Sequence, residues 1–337
     1  KTFLFKFYCI NHCLSLLFLF CTFAISMKKI LKKELLAYLG MSVNTAIVGL
    51  SFIFMKMALR YTDPVVMLAH RFSFAFLVLI LMQLFGLVKF PSFSFSRIKP
   101  LLLLALFYPL MFFLLQTFGI QYSTASEAGI IFAVIPVLTT LVASVFLKEK
   151  TNLLQKTGIL MSVAGVFYII FKTGIHKNDT DPLGVVLLLL SVLSIIAYYT
   201  IGRKLGHTFS PVELTVLMSY LAFIIFNIWA LSHHFLNGTP FKFIDPLTHS
   251  GFLIPILYLG VLSSLLTSFL SNYALTAISA SKIAVFNNLS PVIAVFGGVV
   301  FLNEKLYGYH FIGGMLVLVG VVSTISVKSL NKPKSNI

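Results

Sequence analysis

The chain has 337 residues, of which 59% are hydrophobic and only 10% charged, with a mean hydropathy of +1.00. A soluble domain carries roughly 25% charged residues, so a chain this apolar cannot cover its own surface with polar groups, and its solvent is lipid. The formal net charge of +16 does not signal nucleic acid, because the cations punctuate the gaps between apolar runs instead of gathering on one face.

Residues 1–26, KTFLFKFYCINHCLSLLFLFCTFAIS, form an apolar, Phe-rich extension that holds all three cysteines, Cys9, Cys13 and Cys21. Three readings of it stay open: a non-native translated upstream stretch, a signal-like segment with Lys1 and Lys6 ahead of an apolar run, or an extra helix. Met27 then opens MKKILKKELL, a basic flank of the kind found on the cytoplasmic side of a first span. With no cysteine beyond residue 26, neither a disulfide framework nor a cysteine metal site is expected in the main body.

Ten uncharged or nearly uncharged runs follow, at residues 35–57, 64–87, 99–119, 125–147, 153–171, 183–203, 211–235, 251–273, 281–302 and 307–327. Each approaches the ~20 residues a helix needs to cross ~30 Å of hydrocarbon. They are continuous and not alternating, which predicts helices and argues against a barrel. Turn chemistry separates them, as in Thr62-Asp63-Pro64, Phe90-Pro91-Ser92, Asn178-Asp179-Thr180-Asp181-Pro182 and Asn237-Gly238-Thr239-Pro240. With the Met27 end placed inside, sixteen Lys and Arg fall in inner segments and five (Arg60, Lys172, Lys177, Lys242 and Lys305) in outer ones. The bias predicts a cytoplasmic-membrane protein with both ends of the ten-span body in the cytoplasm, including the basic tail 328–337.

The body repeats itself. Pro136 and Pro291 are 155 positions apart, and at that offset 13 of the 52 pairs between 119–170 and 274–325 are identical. They include Ala125/Ala280, Ser126/Ser281, Glu149/Glu304, Lys150/Lys305, Gly158/Gly313 and Gly165/Gly320. Each half, 35–171 and 182–327, therefore holds five spans. Because five is odd, the second half is upside down relative to the first. The expected fold is an all-α polytopic membrane protein of ten transmembrane helices in two inverted five-helix repeats. Inverted repeats of this kind are built into secondary transporters, with a site near the midplane between the halves. The predicted cavity is lined by spans one, three and four and their counterparts six, eight and nine.

Candidate site residues are polar groups that hydrocarbon would penalise. Arg71 lies about 10 Å along span two, where a cation marks a cavity or sits in a structural ion pair. Lys56 near the end of span one can line the pathway or snorkel. Glu127 opens span four and can bind a cation or proton, or favour the positive end of a helix. Asn44, Gln116, Tyr198, Tyr199, Asn272, Asn287 and Asn288 fall within spans, as pathway lining or as interhelical hydrogen-bond partners. Pro291 follows the Asn pair and frees a backbone carbonyl there. Glu149 and Glu304, each at the exit of a repeated span, read as structural, as do Pro136 and Pro291. The histidines, His310 among them, show no metal spacing, and neither phosphate loops nor nucleophile motifs appear within spans. No metal, cofactor or catalytic group is expected.

These features resemble one family, the EamA-like members of the drug/metabolite transporter superfamily. The residues that carry the resemblance in the first half are Val48-Gly49-Leu50-Ser51-Phe52 with Lys56, Pro64, Arg71-Phe72, Ala75, Pro136, Phe146-Leu147-Lys148-Glu149-Lys150, Gly158 and Gly165. Their counterparts are Pro291, Leu302-Asn303-Glu304-Lys305, Gly313 and Gly320. Val48 stands where members of the family often have Trp. The resemblance implies a carrier of metabolites, amino acids or drugs, commonly outward, working with a small-molecule substrate, the bilayer, and a coupling proton or exchanged solute. A membrane channel or lipid scramblase is the alternative, and an intramembrane enzyme a distant third.

Overall fold

The computed structural model describes residues 33–88, 101–146, 152–175, 181–205, 211–237, 243–275, 286 and 289–330. Among these residues the chain is helical, with no strand. Seven helices are long and apolar enough to cross a bilayer, and three further apolar helices stand at the positions of spans six, nine and ten. The protein is thus a ten-helix polytopic membrane protein.

Span one is Lys33–Ala58 and span two Pro64–Leu84. Asp63 sets the start of span two: its carboxylate accepts from the Val65 and Val66 N–H groups at 2.9 and 3.0 Å, and Pro64 fills the first helical position, where no N–H is needed. Span five is Leu153–Ile175, span six Pro182–Leu205 and span seven Pro211–Asn237. Span ten is Gly308–Leu330.

Three spans depart from the continuous helices expected. Span four splits into Ala125–Phe132 and Ile135–Phe146. Pro136 has no N–H for the Phe132 carbonyl, so the ladder breaks one turn before it. Span three carries a π-helical turn at Leu106–Met111 around Pro109, with Tyr108 extended at φ −142° and ψ 120°. Span eight runs as Ser250–Leu257, a π-helical stretch Tyr258–Leu266, and Thr267–Leu275. Shifted by the repeat offset, 106–111 becomes 261–266, so the irregularity itself is duplicated. Span nine is helical over Ser290–Leu302, and its expected beginning from 281 lies outside the described residues.

The packing obeys the inverted repeat. Spans five and ten, two and seven, and four and nine pair with each other, while span three packs on six and span eight on one. The crossing of spans five and ten is a backbone contact. A Cβ added at Gly165 would lie 2.7 Å from the Gly313 carbonyl oxygen, and one at Gly320 would strike the Gly158 carbonyl. Gly165 and Gly320 are repeat mates, as are Gly313 and Gly158, so the two contacts are one contact seen twice. Ser162 Oγ adds a hydrogen bond to Val317 O at 3.0 Å. Lipid-facing positions of the same spans, such as Leu160, Phe167, Phe311 and Met315, are exposed, as expected where hydrocarbon replaces water.

Candidate functional site

Polar side chains gather at two places. The first is the end of the bundle where spans one, three, four, nine and ten meet. Span nine ends at Leu302. Asn303 then adopts the left-handed conformation at φ 54°, ψ 36°, which Asn tolerates better than other residues bearing a Cβ, and the turn carries Glu304 back toward span four. There its carboxylate sits on the start of the helix Ala125–Phe132. The N–H groups of Ala125 and Ser126 donate to Oε1 and Oε2 at 2.8 and 2.9 Å, and Ser126 Oγ donates to Oε2 at 2.6 Å. These donors have no partner within their own helix, and the helix end is electropositive. Gly298 makes the approach possible, since a Cβ there would collide with both the Glu304 carboxylate and Ser126 Oγ.

Glu127, fully buried, closes a capping box on the same turn. Its N–H donates to Thr124 Oγ1 at 3.0 Å, and the Thr124 N–H donates to its Oε2 at 3.3 Å. Its other oxygen, Oε1, lies 3.1 Å from His310 Nε2, in a pair whose members are 0% and 2% exposed. The Tyr307 N–H donates to His310 Nδ1 at 3.2 Å. With Nδ1 accepting from Tyr307, Nε2 is the ring nitrogen that faces Glu127. Lys56 reaches the adjoining end of span three, donating to the Ile120 and Gln121 carbonyls at 2.9 and 3.2 Å and to that of Ser123. These carbonyls end a helix, where a cation is favoured. A cleft of about 220 Å³ opens between these groups, lined by Lys56, Arg60, Thr124, Glu304, Lys305 and His310, among others.

The second place is deeper, where spans two, three and eight meet. Arg71 is 2% exposed. Its Nε donates to Ser264 Oγ at 3.0 Å and its Nη2 to Ser263 Oγ at 3.2 Å. The Phe113 ring lies 4.3 Å from its Cζ, within cation–π range. Both serines belong to the π-helical stretch of span eight, where Ser264 Oγ also donates to Leu259 O at 2.9 Å. Phe113 packs on Tyr108, and Tyr108 on Tyr198, at centroid distances of 5.3 and 5.0 Å. An aromatic path therefore leads from Arg71 of span two, through span three, to span six.

Of the predicted residues, the structure gathers Lys56, Glu127 and Glu304 at one end and links Arg71 to Tyr198 through rings. Asn44 is buried apart from both, accepting from Ser271 Oγ at 3.3 Å, and Gln116 is buried in span three. Pro136 follows the break in span four, and Pro291 opens span nine. The side chains of Tyr199 and Asn272, and Glu149, Asn287 and Asn288 altogether, lie outside the described residues. Sequence reasoning missed Ser263, Ser264 and Phe113, and left His310 among scattered histidines. Their roles depend on partners 183 to 193 positions away for the polar contacts. The one available signal was the Ser pair at the repeat equivalent of Pro109.

Two inverted five-helix repeats, joined at one end by polar contacts and holding a buried cation between helices, define a multi-pass membrane transporter architecture. The model of the EamA-like transporter family matches residues 35–171 and 182–326, and the chain belongs to that family. It is 43% identical over 297 residues to the uncharacterized transporter YcxC of Bacillus subtilis (strain 168), covering 88% of this chain and 95% of that one. It is 27% identical to the uncharacterized transporter YetK of the same organism, over 89% of each chain. Protein PagO of Salmonella typhimurium is 26% identical, over 84% of this chain and 90% of its own. A solved crystal structure superposes with a TM-score of 0.57 at 14% identity, covering 87% of this chain and 99% of that chain, a likeness of fold alone.

Proposed function

We propose that the protein is a secondary transporter that moves a small metabolite, amino acid or drug-like molecule out across the cytoplasmic membrane by alternating access. A coupling proton or an exchanged solute drives it, and both ends of the ten-span body face the cytoplasm. The observation that carries this reading is the seat of Glu304. A residue of the second repeat holds the first turn of span four in the first repeat through three hydrogen bonds, and His310 of the second repeat holds Glu127 beside it. Contacts of this kind, discrete and made between two bodies, suit an end that closes and reopens, whereas a fixed pore has no use for a latch between its halves. The Lys and Arg bias supports placing this end outside.

The test is counterflow in proteoliposomes loaded with a deproteinised extract of bacterial cells, read by mass spectrometry. A carrier gives saturable efflux that is accelerated by solute on the opposite side. Flux that rises linearly with concentration and ignores the opposite side would make the protein a channel. Orientation is read separately in a chain with Cys9, Cys13 and Cys21 replaced, where Asn152→Cys labels from the cytoplasmic side and Thr248→Cys from outside. Labelling of both from one side would overturn the placement.

A further inference from the structure

Arg71 holds a positive charge in the bundle, and among the described residues nothing negative balances it. Its two hydroxyl acceptors and its facing ring are neutral, and no carboxylate pairs with it among the described residues. Its remaining terminal nitrogen, Nη1, is buried and has no hydrogen-bond partner. A guanidinium in low dielectric with one donor edge unused is costly, and removing such a group's counter-charge is among the more destabilising changes a protein suffers. A chain of this kind keeps the arrangement where an anion arrives to complete it, and an Arg fork matches the oxygens of a carboxylate or phosphate.

The backbone around Arg71 points the same way. The π-helical stretch of span eight, which supplies Ser263 and Ser264, and the π-helical turn of span three, beside Phe113, are related by the repeat. Irregular backbone at membrane depth persists where it is enclosed by protein or lines a cavity, and π-turns concentrate at functional positions. On its far side the site continues into the rings of Tyr108 and Tyr198.

We propose that Arg71 is the binding group for an anionic moiety, a carboxylate or phosphate, of the transported solute, whose less polar part lies along the Phe113–Tyr108–Tyr198 rings. The proposal rests on the carrier reading above and names the chemistry of its substrate. Nη1 and Nη2 donate to the anion when it enters, Ser263 and Ser264 hold the fork in place, and the solute supplies the charge the protein lacks.

The same extract-loaded proteoliposomes test it, comparing wild type with Arg71→Lys and Arg71→Gln, each first shown to be folded by its melting temperature. Wild type is expected to export solutes that share a carboxylate or phosphate, the mass spectrum telling which. Arg71→Gln should lower their counterflow by about tenfold or more, the change that follows from losing a hydrogen bond between charged groups. Arg71→Lys, which keeps the charge without the fork, should fall between the two. Export confined to neutral or cationic solutes would overturn the proposal while leaving the carrier reading intact. So would a folded Arg71→Gln, or, where that variant does not fold, a folded Arg71→Lys, that exports the wild-type solutes at wild-type rates. If no solute showed counterflow, the carrier reading would fall, and the proposal with it.

Discussion

The two repeats meet in two very different ways. Spans five and ten cross at bare backbone, with Gly165 against Gly313 and Gly320 against Gly158, and Ser162 Oγ adds a hydrogen bond to Val317 O. Spans four, nine and ten meet at Glu304, Glu127 and His310, through hydrogen bonds that each involve a side chain. Close backbone packing tolerates almost no change of distance, so the glycine crossing acts as a fixed bearing. The carboxylate contacts are hydrogen bonds made by side chains at a helix end, and in the carrier reading proposed above they are the contacts that release. The two kinds of junction are built at separate places along the same pair of repeats.

The largest effect should come from filling the bearing. Gly165→Val places a side chain on the Gly313 carbonyl, so a loss of about 3 kcal/mol, at the upper end of overpacking costs, is expected as a lowered melting temperature and poor recovery of folded protein. Normal stability would mean the two spans can separate, removing the contrast with the seam. Glu304→Gln should cost less, about 2 kcal/mol for hydrogen bonds made by a charged group. Its informative readout is whether thiol reagents reach a cysteine placed at Thr124 faster in the Glu304→Gln background. No change in accessibility would show that the seat of Glu304 does not control this end. Thr124→Ala, which removes the cap hydroxyl but leaves the carboxylates in place, should lower stability by about 1 kcal/mol and leave counterflow unaltered. Leu160→Ala, at a lipid-facing position of span five, should stay within about 0.5 kcal/mol of wild type. A larger loss would mean the outer face of span five is itself a packing surface.

The contrast also marks where sequence reading stops. Apolar run length located the spans, because hydropathy depends on composition that each segment carries alone. The repeat was readable for the same reason, since Pro136/Pro291 and Glu149/Glu304 keep one offset. The interruption of span four was implied by Pro136, but hydropathy counts residues and ignores which carbonyl has lost its donor. The π-helical stretches of spans three and eight have no apolar signature at all. What could not be read was pairing. Glu304 looked like a loop residue because its partners, Ala125 and Ser126, lie 179 and 178 positions away. Arg71 stood out as an intramembrane cation, yet whether a carboxylate met it depended on which spans surround it. His310 was visible only as one of 8 histidines, and its pairing came from Glu127, 183 positions away.

The crossing of Gly165 and Gly313 has a consequence in time. The two glycines are 148 positions apart, so a ribosome adding about 5–20 residues per second reaches Gly313 roughly 7 to 30 s after Gly165. Through that interval the glycine face of span five has no partner from span ten, because that partner has not yet been made. The glycine crossing is therefore a late junction in synthesis, made only after the contacts among the earlier spans have become available.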